Sequence, residues 1–313
     1  MGKEYLIKEE TLKGIADAIR SKDGTTESIC TTDFKQRIQN IPTSEDTLEK
    51  LFSETLEVYQ NNRITKLPTY AFYKNTSIKT IILNNVTSTD VVYTRNSYSF
   101  SECANLEEVS LENLTVLSNY MFQNCKKLTK INLPNVKSFN AGEQSFGYTF
   151  NNVGIDSADK WKLILPNLVG IGINRSVFAG CGAAIMSFPR MTGASGFYEC
   201  FKECKTQIID LGSTIAIYSS SFTNAQNLKT LILRKTTILS LPNISAFDGT
   251  PFATDNTGGD VYVPESLIES YKIATNWSIL YEGGTLNFKP IEGSIYENLD
   301  WADDFDVTTL EVK

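Results

Sequence analysis

Among its 313 residues the chain has no histidine. Histidine is the commonest general base near neutral pH and the commonest zinc ligand. Its absence rules out any Ser-His-Asp or Cys-His nucleophilic arrangement. Long apolar runs are missing too. None approaches the roughly 18 residues that a membrane-spanning helix needs, and no stretch of signal-peptide length follows Lys3. The chain as given is therefore expected to be made in a cytoplasm, not signalled out of it, and not inserted in a membrane. There is no basic excess: Lys and Arg number 29 against 36 Asp and Glu, a net charge of −7. From Ile291 to Lys313 seven acids accompany one lysine, a net of −6, so the rest of the chain is nearly neutral. Such a distribution offers no basic footprint for nucleic acid and no polybasic patch for anionic lipid.

What is present is a repeat. An aromatic or small residue precedes Phe; two polar or small residues, a Cys or its substitute, and then Leu-x-x-Leu/Ile/Val-x-Leu follow it. Tyr98 to Leu111 and Tyr120 to Leu133 are the clearest copies, with others starting at Tyr70 and Ser221. The Phe anchors are Phe72, Phe100, Phe122, Phe150, Phe178, Phe201 and Phe222, separated by 28, 22, 28, 28, 23 and 21 residues. In Leu-x-x-Leu-x-Leu the last three residues alternate in and out, which predicts a short strand with one buried face. The Phe turns inward on a separate segment. One unit cannot bury its own apolar face, so stacked units must share a core. Pro134-Asn135, Pro166-Asn167 and Pro242-Asn243 mark strand ends, because proline cannot donate to a ladder.

These residues resemble the BspA-like leucine-rich repeats of bacteria and phages, over roughly Ile64 to Pro264. The resemblance implies an α/β repeat fold: a leucine-rich-repeat β-solenoid with a short helical N-terminal module and a C-terminal capping unit. Insertions such as Asp156 to Trp161 and Thr192 to Gly196 make the middle rungs less regular. The expected boundaries are a helical hairpin over 1–43, a linker and first strand over 44–63, the solenoid over 64–260, a cap over 261–282 and an acidic tail over 283–313.

In the first module Leu12, Ile15, Ala16 and Ile19 carry the spacing of an amphipathic helix. Phe34, Ile38 and Ile41 share a face of a second one, capped by Thr31 or Thr32 and ended by Pro42. The run Thr11 to Arg20, then Asp23-Gly24-Thr25 and Phe34 to Ile38, is similar to a module at the front of phage and prophage tail proteins of Gram-positive hosts. In the cap, Pro264 ends a strand, and Tyr271 and Trp277 are expected to cover the last rung. The tail carries Tyr296, Trp301 and Phe305 among its acids. It reads as a solvated segment or as one that orders against a neighbouring subunit.

Cys103, Cys125, Cys181 and Cys204 occupy one repeat position, the mark of a small buried hydrophobe used once per rung. Cys200 with Cys204 offers only two zinc ligands, and Gly170-x-Gly172 is not a dinucleotide fingerprint. No catalytic residue, metal or cofactor is expected. Six Asn-x-Ser/Thr triplets, at Asn75, Asn85, Asn113, Asn174, Asn243 and Asn276, read as by-products of polar turns. Outward positions of the better strands are Thr80, Ile82, Glu108, Ser110, Lys130, Asn132, Thr230 and Ile232, which would line the sheet face that repeat proteins use for binding.

The two resemblances together imply a structural virion protein of a tailed phage, in the tail tip or baseplate. Residues 1–43 would dock to other tail proteins, and the solenoid would meet a host-surface glycan or protein. Assembly with further copies stays open, since no sustained heptad encodes a trimer. The alternative is a bacterial BspA-like cell-surface adhesin. A glycan depolymerase comes third, because it needs two carboxylates about 5–10 Å apart and the strands supply only isolated acids such as Glu108.

Overall fold

The computed structural model describes residues 57–90, 96–140, 147–172, 175–194, 197–253 and 258–301, together with 303, 305–307, 309, 311 and 312. The hairpin expected over 1–43 lies outside these residues. Each rung contributes one three- to five-residue strand to a parallel wall. Strands β1 (Val58–Gln60), β3 (Thr80–Ile82), β5 (Glu108–Ser110) and β7 (Lys130–Asn132) form one sheet. Strands β9 (Lys162–Ile164), β11 (Ile185–Ser187), β13 (Ile208–Asp210), β14 (Thr230–Ile232), β15 (Gly259–Val263) and β16 (Leu286–Pro290) form a second. Shorter strands follow in the early rungs: β2 (Lys66–Leu67) pairs β4 (Ser88–Thr89), while β6 (Val116–Leu117), β8 (Ser138–Phe139), β10 (Gly170–Gly172) and β12 (Gly193–Ala194) make a four-stranded set. The result is a β-solenoid of about nine turns.

The central residue of most wall strands points inward, and Ile81, Val109, Leu163, Met186, Ile209, Leu231 and Val261 are all fully buried. Leu106, Leu111, Leu114 and Leu117 of one repeat are buried with them. Opposite runs a phenylalanine spine. Phe72, Phe100, Phe122, Phe150, Phe178, Phe201, Phe222 and Phe247 stack in sequence, with ring centroids 5.0–5.6 Å apart and planes within 22°. Sequence spacing finds seven of these rings. Phe247 is the eighth, missed because its rung has a 3-10 turn, Ile244–Phe247, and Thr250 where other rungs have Cys.

The spine has a backbone cause. The residue two after each of these phenylalanines is left-handed in all eight rungs, with φ between 55 and 70°. The residue two before is also left-handed at Tyr70, Tyr98, Tyr120, Tyr148, Ser176, Glu199 and Ser220. These kinks aim alternate N–H groups along the solenoid axis, so Tyr70, Phe72 and Lys74 donate to Ser97, Ser99 and Ser101 of the next rung at 2.7–3.0 Å. A left-handed residue costs about 1–2 kcal/mol unless it is glycine, and asparagine tolerates it best among the others. That accounts for Asn124, Asn152, Asn224, Gly180 and Gly249 at this position. Asparagine also ties rungs at the strand ends: Asn85, Asn113, Asn135 and Asn167 each donate Nδ2 to a carbonyl of the rung before, at 2.6–2.9 Å. Asn85 and Asn113 of the triplets thus have a rung-joining role.

The middle is irregular where the insertion falls. A 3-10 turn at Ile155–Ser157 precedes Trp161, which is buried and donates Nε1 to the Gly154 carbonyl at 3.2 Å. Past this bulge β9 does not rejoin β7, so the wall divides into its two sheets. At the far end Trp277 packs on Phe247 at 6.0 Å and donates Nε1 to the Leu239 carbonyl at 2.8 Å. Tyr271 accepts from the Leu239 N–H at 2.8 Å. They sit on α1 (Ile268–Ile273) and α2 (Trp277–Glu282) and close the core.

The segment from 283 onwards differs from both expectations for the tail. Its first part is β16, which extends the wall by five paired residues next to β15. Ile291, Tyr296 and Trp301 are then buried against the chain's own sheet. They order there because the residues beneath, Ala184, Ile185, Ile208 and Ile232, are apolar and would otherwise face water.

Candidate functional site

Outward side chains of the wall come from the two flanking positions of each strand. In the first sheet the register aligns Val58, Thr80, Glu108 and Lys130 in one row, and Gln60, Ile82, Ser110 and Asn132 in the next. Six of the eight residues picked from sequence therefore lie on one continuous face. Its charges pair across strands, Lys130 Nζ lying 3.9 Å from Glu108 Oε2, with side chains 76% and 40% exposed. An ion pair so open to water stabilises the fold little, and its groups stay accessible. The second row is tied by hydrogen bonds: Asn132 Nδ2 donates to Ser110 Oγ at 2.9 Å, and Ser110 Oγ donates to Asn84 Oδ1 at 2.7 Å. Ser110 is buried by these contacts. Val58, 57% exposed, and Gln60 belong to the same face. Sequence reading passed over them because their rung has no Phe-x-x-Cys corner before it.

Thr230 and Ile232 were expected on this open face and are not. Thr230 is 8% and Ile232 0% exposed. The cover is the 291–301 segment, and its contacts centre on Asp210. Asp210 is fully buried and takes Arg234 Nη2 at 2.8 Å and Nε at 2.9 Å on the same Oδ2. The indole N–H of Trp301 donates to that oxygen at 3.3 Å, and the Gly212 N–H to Oδ1 at 3.0 Å. Arg234 also donates to the Tyr296 carbonyl at 2.7 Å, and Lys162 to that of Trp301 at 2.7 Å. No local sequence signal joins Asp210 to a tryptophan 91 residues away.

A second concavity of about 540 Å³ lies at the starts of β13–β16, lined by Asp159, Asn227, Lys229 and Asp260 among others. Both carboxylates are engaged, Asp159 with Asn227 at 3.0 Å and Asp260 with Lys289 at 2.7 Å. On the phenylalanine side Tyr70, Tyr98, Tyr120 and Tyr148 form an outer stack, with centroids 4.7–5.5 Å apart. Burial raises the phenols of Tyr98 and Tyr120 above their ordinary value of 10.0.

The five described cysteines are buried. Cys103 and Cys125 donate Sγ–H to the carbonyls of Phe72 and Phe100 at 2.9 Å. Burial pushes the thiol of Cys204 up to about 11 and that of Cys200 up to about 12, from 9.0. Such thiols are protonated and inert at neutral pH. Among the described residues, no three His, Cys, Asp or Glu converge on a metal position. The linkage has a definite sign. Below pH 9.0 folded and unfolded thiols are alike; above it the unfolded chain loses protons that the folded chain retains, so stability falls as pH rises from about 9 towards 11. Urea midpoints measured from pH 7 to 10.5 should stay level and then decline. A midpoint that rises across pH 9–10.5 contradicts this account.

Residues 28–153 and 157–256 match the family described as BspA type leucine rich repeat region, in six copies. A leucine-rich repeat protein from Bacteroides ovatus ATCC 8483 is similar at 18% identity, covering 76% of this chain and 78% of that one, with a TM-score of 0.30. A leucine rich cell surface protein from Faecalibacterium prausnitzii A2-165 is similar at 14% identity, covering 78% and 81%, with a TM-score of 0.21. No curated protein matches. With well over half of its residues matched and the rung architecture in place, the chain belongs to the BspA-type leucine-rich-repeat family.

Proposed function

We propose that the protein is a recognition scaffold acting at a bacterial surface, an adhesin-like binder without catalytic activity of its own. It holds a glycan or protein on the outward face of β1–β7. The observation that carries this reading is the row of accessible, cross-strand-paired groups, Thr80, Glu108 and Lys130 beside Ile82 and Asn132, on a rigid parallel sheet. A ligand meeting that face loses little to ordering the backbone, because the register already fixes the strands. Membership of the BspA-type family supports it further. The test is binding of the labelled full chain to intact bacterial cells, read by flow cytometry. Lys130→Glu with Asn132→Lys should weaken binding at least tenfold in a chain whose circular dichroism still matches wild type, the melting temperature falling by a few degrees because like charges then face each other and Ser110 Oγ loses its donor. Undiminished binding by a folded double variant would rule out this face.

A second reading rests on the sequence of the front module. The runs Thr11 to Arg20 and Phe34 to Ile38 are similar to phage tail modules, so the surface reached could be that of a host, met from a virion. The same solenoid face would then bind the host receptor, and residues 1–43 would join other tail or baseplate proteins. Mass spectrometry of purified particles from the source strain decides between them: a chain absent from the particles sinks the virion reading and leaves the adhesin.

A further inference from the structure

We propose that the outward face of β9–β14 is a binding site for an extended peptide segment carrying an indole, and that residues 291–301 occupy it as a displaceable cover. Three observations carry this. First, the outward positions of this half are unlike those of β1–β7. Ile185, Ile208 and Ile232 stand where the first sheet has Thr80, Glu108 and Asn132, so the face is built to be covered.

Second, the site recognises features of a peptide. Arg234 and Lys162 donate to main-chain carbonyls, those of Tyr296, Glu297 and Trp301, while Asp210 receives the indole N–H. Within the solenoid Asp210 is held by Arg234 and the Gly212 N–H, and the segment above adds the Trp301 indole to the same Oδ2. A buried acid is costly unless paired; with its charge met by Arg234, Asp210 still accepts an indole N–H from the segment above.

Third, the resident segment fits incompletely. Ser187, buried in the same outward row, has no hydrogen-bond partner for its Oγ. On the same face a cleft of about 260 Å³ stays open between Ile164, Pro166 and Pro189 on the solenoid and Leu299 and Trp301 on the cover. A peptide that fills the cleft and pairs Ser187 has more to offer this face than residues 291–301 do. The cover therefore acts as a low-affinity occupant that a better ligand displaces.

The probe is a fluorescein-labelled peptide of residues 286–313, titrated with the full chain and read by polarisation. The Trp301→Ala chain, its own cover loosened, should bind the peptide at least tenfold more tightly than the wild-type chain, whose site is filled. A peptide carrying its own Trp301→Ala change should not bind. Equal binding by both chains, or none by a variant whose circular dichroism matches wild type, overturns the proposal. If Trp301→Ala fails to fold, Trp301→Phe keeps an aromatic ring while removing the indole N–H and part of the ring volume. Hydrogen exchange should then quicken at 208–210 and 230–232 and not at 80–82 or 108–110. Unchanged exchange at 208–210 likewise overturns it.

Discussion

Replacing Phe178 by alanine is expected to destabilise the solenoid by about 3–5 kcal/mol, the range for deleting a fully buried aromatic ring. Phe178 is 0% exposed and stacks between Phe150 at 5.6 Å and Phe201 at 5.3 Å, with Phe188 at 5.0 Å and Phe139 edge-on at 5.9 Å. The rigid rungs around it cannot close the void, because each is fixed by main-chain bonds to both neighbours. A solenoid is stabilised by nearest-neighbour interfaces, so a gap in a middle rung weakens two of them at once. Urea unfolding followed by tryptophan fluorescence measures the loss. Phe178→Leu, which keeps most of the volume, should cost about 1–2 kcal/mol by the same reasoning. A Phe178→Ala loss under about 1 kcal/mol would mean the spine does not hold the rungs together.

The second large effect belongs to the pair under the cover. Arg234→Leu strands the Asp210 carboxylate, which is 0% exposed, without its cation, whose own side chain is 20% exposed. Removing one partner of a buried ion pair costs about 3–5 kcal/mol, whereas replacing both by apolar groups is often close to neutral. Asp210→Leu with Arg234→Leu should therefore recover most of the single-variant loss. The recovery stays incomplete, since Trp301 Nε1 and the Gly212 N–H lose their acceptor and the Tyr296 carbonyl its donor. A double-mutant cycle on thermal unfolding gives the coupling. Strictly additive losses would show that the carboxylate is not paired as described.

Much of the fold was readable because its signals are local. The Phe anchors, the alternating strand residues and the per-rung cysteines recur at fixed offsets, and each reports a position that meets the same position one rung away. Trp277 and Tyr271 were readable as a cap for a similar reason, lying next to the last strand in sequence. The first-sheet face was legible too, because Thr80, Glu108 and Lys130 are flanking positions of strands that the pattern locates. Ile232 was placed on the open face, and nothing near it, Ile185 or Ile208 in sequence names what covers them. Residues 291–301 look solvated when judged by their charge. They fold because Ile291, Tyr296 and Trp301 bury apolar area on those isoleucines, and because Arg234 and Lys162 satisfy the carbonyls that docking takes from water.

Composition and periodicity thus establish a histidine-free, stacked repeat whose interior is filled by one phenylalanine and several aliphatic residues per rung. These are properties of neighbouring residues and of a constant period, which a linear sequence displays directly. Which half of the wall stays open was settled by contacts across 63 to 139 residues, between Arg234 and Glu297 and between Lys162 and Trp301. Burial of that kind depends on shape and on paired polar groups brought together by the coil, and no periodic pattern in the sequence encodes it.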